Sequence, residues 1–459
     1  MGVDYEEPFE PTGWSWITVF SSLMVQLITC GLCYSAGIYQ LTFLDEFDQS
    51  HFRTSWIGSL LLGCTAFGGI IGVYVSRNLS CRTSVMVGGF VSALGFGISR
   101  LIWAHWLLYL SIGVVGGLGL GMAFSPSIMA VEQHFRHAER SFALGLAVWG
   151  IGMGIAVFPP CLHLLIELLH WKGAILILSG IALNIMLCGV LMRPPPGGKK
   201  NFVPFPLFHA PLLGNFNFLI LMLSNLLWSC SASIIYTYLP MFAWEHLSEH
   251  LSGPPAEETQ LDAALLVSII GISLFVCRTL FRLLQISDIF VNLLCSVGIS
   301  LILTFIWPQL FEHYSSMIAY CLLFGIFAGF WPTFSAHTTK ELIGREYASM
   351  GNGWLALSIG LGCIGGAPLA GWLYDETNNF DYVFYTAGGC MLCCSCIMIG
   401  AKLIGCQITA PPYGYVGVDR RMVSGSTSQS TSYSSVSRDR SEKEEKDPRV
   451  CVELMLTSV

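Results

Sequence analysis

"RPPPGGKKNFVPFPLFHAPLLG", Arg193–Gly214, is the stretch on which the fold turns. Its prolines, glycines and lysines cannot continue an apolar helix, and a basic segment of this kind separates packing units. On either side the chain is a series of hydrophobic runs, each long enough for a helix rising 1.5 Å per residue to cross the hydrocarbon of a bilayer. Six precede the segment (15–41, 55–76, 83–102, 106–131, 142–165 and 173–192) and six follow it (215–242, 263–283, 289–307, 315–337, 351–373 and 382–404). The expectation is an all-α integral membrane protein with twelve transmembrane helices in two six-helix halves, residues 15–192 and 215–404, joined by the linker 193–214.

Bulk composition agrees with that reading. Apolar residues make up 54% of the 459 and charged residues 11%, with a mean hydropathy of +0.64, whereas a soluble domain carries about a quarter charged residues. Eighteen of the 22 Lys and Arg fall in the loops and tail of one side; Arg53, Arg100 and Lys172 fall on the other, and the last is Arg278 inside a span. Because Lys and Arg accumulate in the cytoplasm, both termini are expected inside. The net charge of −7 carries little weight in that rule and points to no nucleic-acid partner. The acidic start "MGVDYEEPFE" lacks the basic region of a cleavable signal, so the first span is expected to be kept, with 1–14 as a cytoplasmic N-terminus. The sequon at Asn78 falls on the inner side and reads as unglycosylated.

Within the spans, glycines recur at four-residue spacing (Gly113, Gly117, Gly121; Gly150, Gly154; Gly362, Gly366), which lets helix backbones approach closely. Pro126, Pro159, Pro160, Pro240 and Pro332 are expected to kink helices and free carbonyls. The 17 cysteines lie mostly in spans, including "CMLCCSC" from Cys390 to Cys396, and read as small packing residues rather than a metal cluster or a disulfide framework; no cofactor is implied. From 405 onward the chain is polar and low in complexity, a disordered cytoplasmic tail open to phosphorylation. It ends in Thr457, Ser458 and Val459, a hydroxyl, any residue and a terminal aliphatic, which fits strand addition to a PDZ domain with capture of the carboxylate.

Several motifs resemble those of the monocarboxylate transporter family of the major facilitator superfamily, over roughly 13–404. "PTGWSW" keeps Gly13, Trp14 and Trp16 of the family's DGGWGW, without its acid. "GIYQLTFLDEF" is similar to GVFFxEFLxxF through Gly37, Phe43, Leu44 and Phe47, and "HFRHAERSFALGLAVWG" is similar to YFxKRRxLAxGLAxAG through Phe135, Arg140, Ala143, Gly145, Leu146, Ala147 and Gly150. "GGAPLAGWLYDETNNFD", Gly365–Asp381, is close to GPPLAGWLYDxTGxYD, and "LMRP", Leu191–Pro194, agrees as well. After span two, "GVYVSRNLSCR" keeps Gly72, Arg77 and Arg82, but Ser76 or a neighbour stands where many facilitators carry an acid.

In proton-coupled members of that family span eight carries an Asp and, four residues on, an Arg, and span one carries a Lys. An ungapped alignment places Arg278 at the arginine, Leu274 at the aspartate and Tyr34 at the lysine. The resemblance therefore implies that Arg278 holds a substrate carboxylate, whereas the groups that would handle a proton are missing. A charge at this depth is costly and faces a cavity or a partner, and a bound anion is the partner the sequence offers. The competing reading has the Arg278 stem snorkel to the interface beside Arg282. Arg140, at the inner end of span five, is a second cation that could receive an anion leaving the centre.

These residues point to a plasma-membrane carrier, not an enzyme, that moves a small monocarboxylate or another carboxylate-bearing solute by alternating access without proton coupling. Branches of the family that carry aromatic amino acids or thyroid hormones also lack the Lys and Asp, which keeps an aromatic or amino-acid-like substrate open. The alternative is a non-transporting scaffold or sensor acting through the tail. The lone His337 near an inner end does not make a catalytic cluster. By analogy with the family, a single-span ancillary glycoprotein is a further possible partner.

Overall fold

The computed structural model describes residues 13–102, 104–135, 137–194, 214–250, 257–281, 296–305, 314–343 and 348–403, which are almost wholly helical. The linker from 195 to 213, Arg282 and the whole tail, with Thr457, Ser458 and Val459, lie outside the described residues.

The first half comprises α1 (Gly13–Tyr34), α2 (Ala36–Phe47), α3 (His51–Asn78), α4 (Cys81–Ser99), the short α5 (His105–Leu108), which runs through a π-helical stretch (Tyr109–Gly116) into α6 (Gly117–His134), and α7 (His137–Leu191). The second half comprises α8 (Phe216–His250), α9 (Glu257–Phe281), α10 (Ser296–Phe305), α11 (Tyr314–Ile343), α12 (Ala348–Thr377) and α13 (Phe380–Leu403). Among the described residues ten helices are long and apolar enough to cross a membrane. One of them, α7, runs for 55 residues but turns at His170 (φ 55°, ψ 167°), so it supplies the two spans expected there. The short apolar α10 falls within the expected ninth span. The set fits the twelve-span plan.

The first expected span, 15–41, is not one straight helix. Ser35 breaks it: its Oγ donates to the Gly31 carbonyl at 2.7 Å, and the local backbone leaves the helical ladder (φ −79°, ψ 12°) before α2 begins. Serine bonding back one turn is a known source of such bends.

The glycine pairs do what their spacing implies. α7 lies on α1 so closely that a Cβ on Gly150 or Gly154 would run into the carbonyls of Leu23 and Leu27. Gly362 and Gly366 likewise bring α12 onto the α8 backbone at Leu226 and Cys230. Without a hydrophobic drive between helices in lipid, such close contact is what holds them together. The prolines lie within helices, and Pro126 illustrates how a freed group is satisfied. Pro126 has no N–H for the Met122 carbonyl, and the Ser84 hydroxyl of α4 donates to that oxygen at 2.9 Å.

The halves meet along α3 against α12 and α7 against α9, with α2 reaching α8. At one end of this seam the Asp375 carboxylate, from the last turn of α12, accepts from the backbone N–H of His51 (3.0 Å) and of Phe52 (2.9 Å), the first residues of α3. The His51 ring lies against Tyr374, 4.2 Å between centroids, and the Tyr374 hydroxyl donates to Glu245 on α8 at 3.3 Å.

Candidate functional site

Three of the motif segments converge at the other end of the first half. The Trp14 indole donates to the Leu191 carbonyl at 3.0 Å, and the Arg193 guanidinium lies 4.2 Å from its ring centroid, so "GWSW" and "LMRP" form one contact. Trp16 packs edge-on to Phe135 (5.2 Å) and Phe142 (6.1 Å). Arg140 sits in the same region, where Glu132 on α6 holds it at 3.1 Å. Ser76, on the same helix end as Arg77, donates to the Val73 carbonyl at 2.8 Å.

Arg278 is carried by the last two turns of α9, on the seam between the halves. Those turns reach the first half because Gly152 gives them room: a Cβ there would come within 2.8 Å of Phe275, whose ring meets Trp149 edge-on at 5.3 Å. The Arg278 side chain lies in the neighbourhood of Cys30 and Tyr34 of α1, Cys277 of its own helix and Tyr236 of α8. Its Nε is buried and makes no hydrogen bond, and no carboxylate forms an ion pair with it among the described residues. The head group thus keeps company with α1 and α8.

Tyr34 closes α1 and packs against the apolar clusters of both halves. Its ring meets that of Tyr236 edge-to-face, 4.6 Å between centroids and 65° between planes. Leu274, one turn before Arg278, is buried in the core of the second half, and a Cβ on Gly329 of α11 would sit 3.5 Å from its Cγ. An aspartate at this position would lie in an apolar packing contact. Arg278, Tyr34 and Leu274 are therefore neighbours, whereas Arg140 is elsewhere and already paired. His337 lies on α11, near its end.

Two residues whose roles emerge only in the structure are Tyr236 and Asp375. Tyr236 lies one turn before Pro240, and that proline is the available clue, because it has no N–H to offer the Tyr236 carbonyl. Asp375 lies inside the most specific motif, but its role as a cap on α3 needs the tertiary arrangement. Among the described residues no group of three or more His, Cys, Asp or Glu could hold a metal ion; Cys390 lies 3.9 Å, sulfur to sulfur, from Cys230.

Two packed sets of membrane-length helices, meeting at a seam that carries a buried arginine, define a multi-pass membrane protein. Residues 16–342 match the family model of the Major Facilitator Superfamily, and the chain belongs to that superfamily. It is 28% identical to Monocarboxylate transporter 12 of Xenopus laevis (85% of this chain, 89% of that one). It is also 28% identical to Monocarboxylate transporter 13 of Rattus norvegicus (84% and 89%) and 26% identical to Monocarboxylate transporter 14 of Homo sapiens (82% and 88%). The resemblance read from the motifs thus holds over most of the chain, and these relatives bear the names of transporters. Among solved structures, a mutant of the nucleoside transporter NupG shares the fold with a TM-score of 0.68 at 14% identity, covering 84% of this chain and 99% of that one.

Proposed function

We propose that this protein is a facilitative carrier of a small monocarboxylate or related carboxylate-bearing solute, working by alternating access without proton coupling. The observation that carries the reading is Arg278, a cation on the seam whose buried Nε has no hydrogen-bond partner. A guanidinium binds a carboxylate through two parallel hydrogen bonds, and a substrate there touches both halves, as rocking about a central site requires. Tyr34 lines the same place, and the apolar Leu274 replaces a group that could titrate. Arg140 would be free for a departing anion only once its pair with Glu132 opens. The names of the relatives support the substrate class.

The carrier belongs in the plasma membrane with both termini cytoplasmic, and this orientation puts Asp375 at the outer mouth. Its C-terminal Thr457, Ser458 and Val459 would recruit a PDZ-domain protein, and a single-span glycoprotein would assist its delivery. Deleting the last three residues should alter surface abundance and leave the KM unchanged; an altered KM would count against a role confined to docking. The central test is uptake of labelled carboxylates by cells expressing the wild type or Arg278→Ala at matched surface abundance, at two external pH values. Saturable uptake, lost in the variant and indifferent to pH, is expected. Uptake driven by low pH would refute the uncoupled mode, and no flux for any solute would refute carriage and favour a scaffold acting through the tail.

A further inference from the structure

Resting on the reading that Arg278 binds the substrate carboxylate, we infer that Tyr236 is a second substrate-contacting residue. With Tyr34 it selects a carboxylate that bears a flat apolar group and no other charge.

The position of Tyr236 is set by its helix. Pro240 removes the N–H that would bond to the Tyr236 carbonyl, and Gly37 lets α2 approach that oxygen, 2.8 Å from where a Cβ would stand. The Tyr236 ring lies at the seam, edge-to-face with Tyr34 of the other half and near Arg278. Behind it an aromatic wall continues: Tyr236 meets Phe324 edge-on at 6.5 Å, and Phe324 stacks on Tyr320 at 5.6 Å with 9° between the planes. Such a surface fits a flat ring or a short conjugated chain better than a fully hydrated solute.

The donor inventory points to one carboxylate. Among the described residues neither the Tyr34 nor the Tyr236 hydroxyl makes a hydrogen bond, and both lie beside a guanidinium with donors to spare. Two phenols and a guanidinium supply the donors that the two oxygens of a single carboxylate accept. Charge narrows the class further. No carboxylate pairs with Arg278 among the described residues, so the site balances one negative charge. A dianion would bring a second charge, and a zwitterion an ammonium, with no group among the described residues of the site to answer it.

The test compares four probes in cells expressing the full chain: 3-phenylpropionate, acetate, succinate and phenylalanine. In the wild type 3-phenylpropionate should show a KM at least tenfold below that of acetate, and succinate and phenylalanine should fail to compete. Tyr236→Phe, which keeps the ring and removes the donor, should raise the KM several-fold and retain the preference for the aryl acid. Tyr236→Leu should lower the aryl-to-alkyl preference at least tenfold while acetate still enters, which a general loss of folding would not do. An unchanged preference in Tyr236→Leu, or effective competition by succinate or phenylalanine, would overturn the inference while transport stands. If the wild type moves none of the four, carriage itself fails, and thermal stabilisation of the purified protein by 3-phenylpropionate decides the inference. Stabilisation that Tyr236→Leu abolishes supports it; none in the wild type overturns it.

Discussion

Replacing Asp375 by asparagine should shift this protein toward the conformation in which the α3–α12 mouth is open. In the present structure the carboxylate spans two N–H groups at the start of α3, at 3.0 and 2.9 Å, and so fastens the second half to the first. A negative charge at a helix N-terminus is worth about 0.3–1 kcal/mol when exposed and up to ~2 kcal/mol when partly buried. A hydrogen bond to a charged group is worth about 1.5–3 kcal/mol. Asparagine keeps one acceptor oxygen and loses the charge and the second acceptor, so the closed state should weaken by about 1.5 kcal/mol, close to tenfold in the ratio of the two states. The direction follows because the bonds exist only while the two helix ends are together.

Distance measurements between probes at Gln49 and Asn378, in purified protein in nanodiscs, would read this ratio. With 17 native cysteines, the probes should be placed through unnatural amino acids. The separated population should grow about tenfold relative to the close one in Asp375→Asn. An unchanged distribution, or a shift to shorter distances, would refute the assignment of Asp375 as a fastener between the halves.

Three further substitutions probe the bundle. Gly154→Val places atoms against the Leu27 carbonyl and should cost about 1–3 kcal/mol or more, read as lost surface abundance and polydispersity after solubilisation. Ser84→Ala leaves the Met122 oxygen, already deprived of a donor by Pro126, without its hydroxyl; a loss of about 1–3 kcal/mol should lower the melting midpoint of the purified protein. His170→Gly relieves a backbone conformation that glycine adopts freely and should raise stability by about 1 kcal/mol, provided the turn between the two limbs of α7 keeps its shape; a lower midpoint would contradict the strain.

The membrane-spanning plan was legible because a bilayer demands about twenty apolar residues per crossing, and the pairing of helices because glycine spacing marks the faces that touch. The break at Ser35 was not legible. Serine is common inside spans, and only its bond to the Gly31 carbonyl distinguishes this one. Arg278 stood out because a cation in an apolar run needs an explanation, whereas Tyr236 did not, because an aromatic in a span is ordinary until a neighbour from the other half is known. Asp375 was visible as part of a motif, but a carboxylate that caps a helix 324 residues away leaves no local pattern.

The charge on Arg278 dictates what should drive transport. Arginine stays protonated at any physiological pH, so in the proposed carrier the charge of the central site changes only when an anion arrives or leaves. The loaded site is neutral and the empty one carries a single positive charge; the cycle therefore moves one net charge for each monoanion carried. One charge crossing the membrane is worth about 2.3 kcal/mol per 100 mV, so at about −60 mV the bias is ~1.4 kcal/mol and the substrate should equilibrate at about tenfold higher concentration outside. Collapsing the potential with high external potassium and valinomycin should raise net uptake of the labelled acid several-fold, and a proton gradient imposed at zero potential should do nothing. The reverse result, uptake driven by the proton gradient and indifferent to potential, would mean that a titrating group accompanies Arg278 through the cycle, and that Leu274 does not mark the loss of coupling.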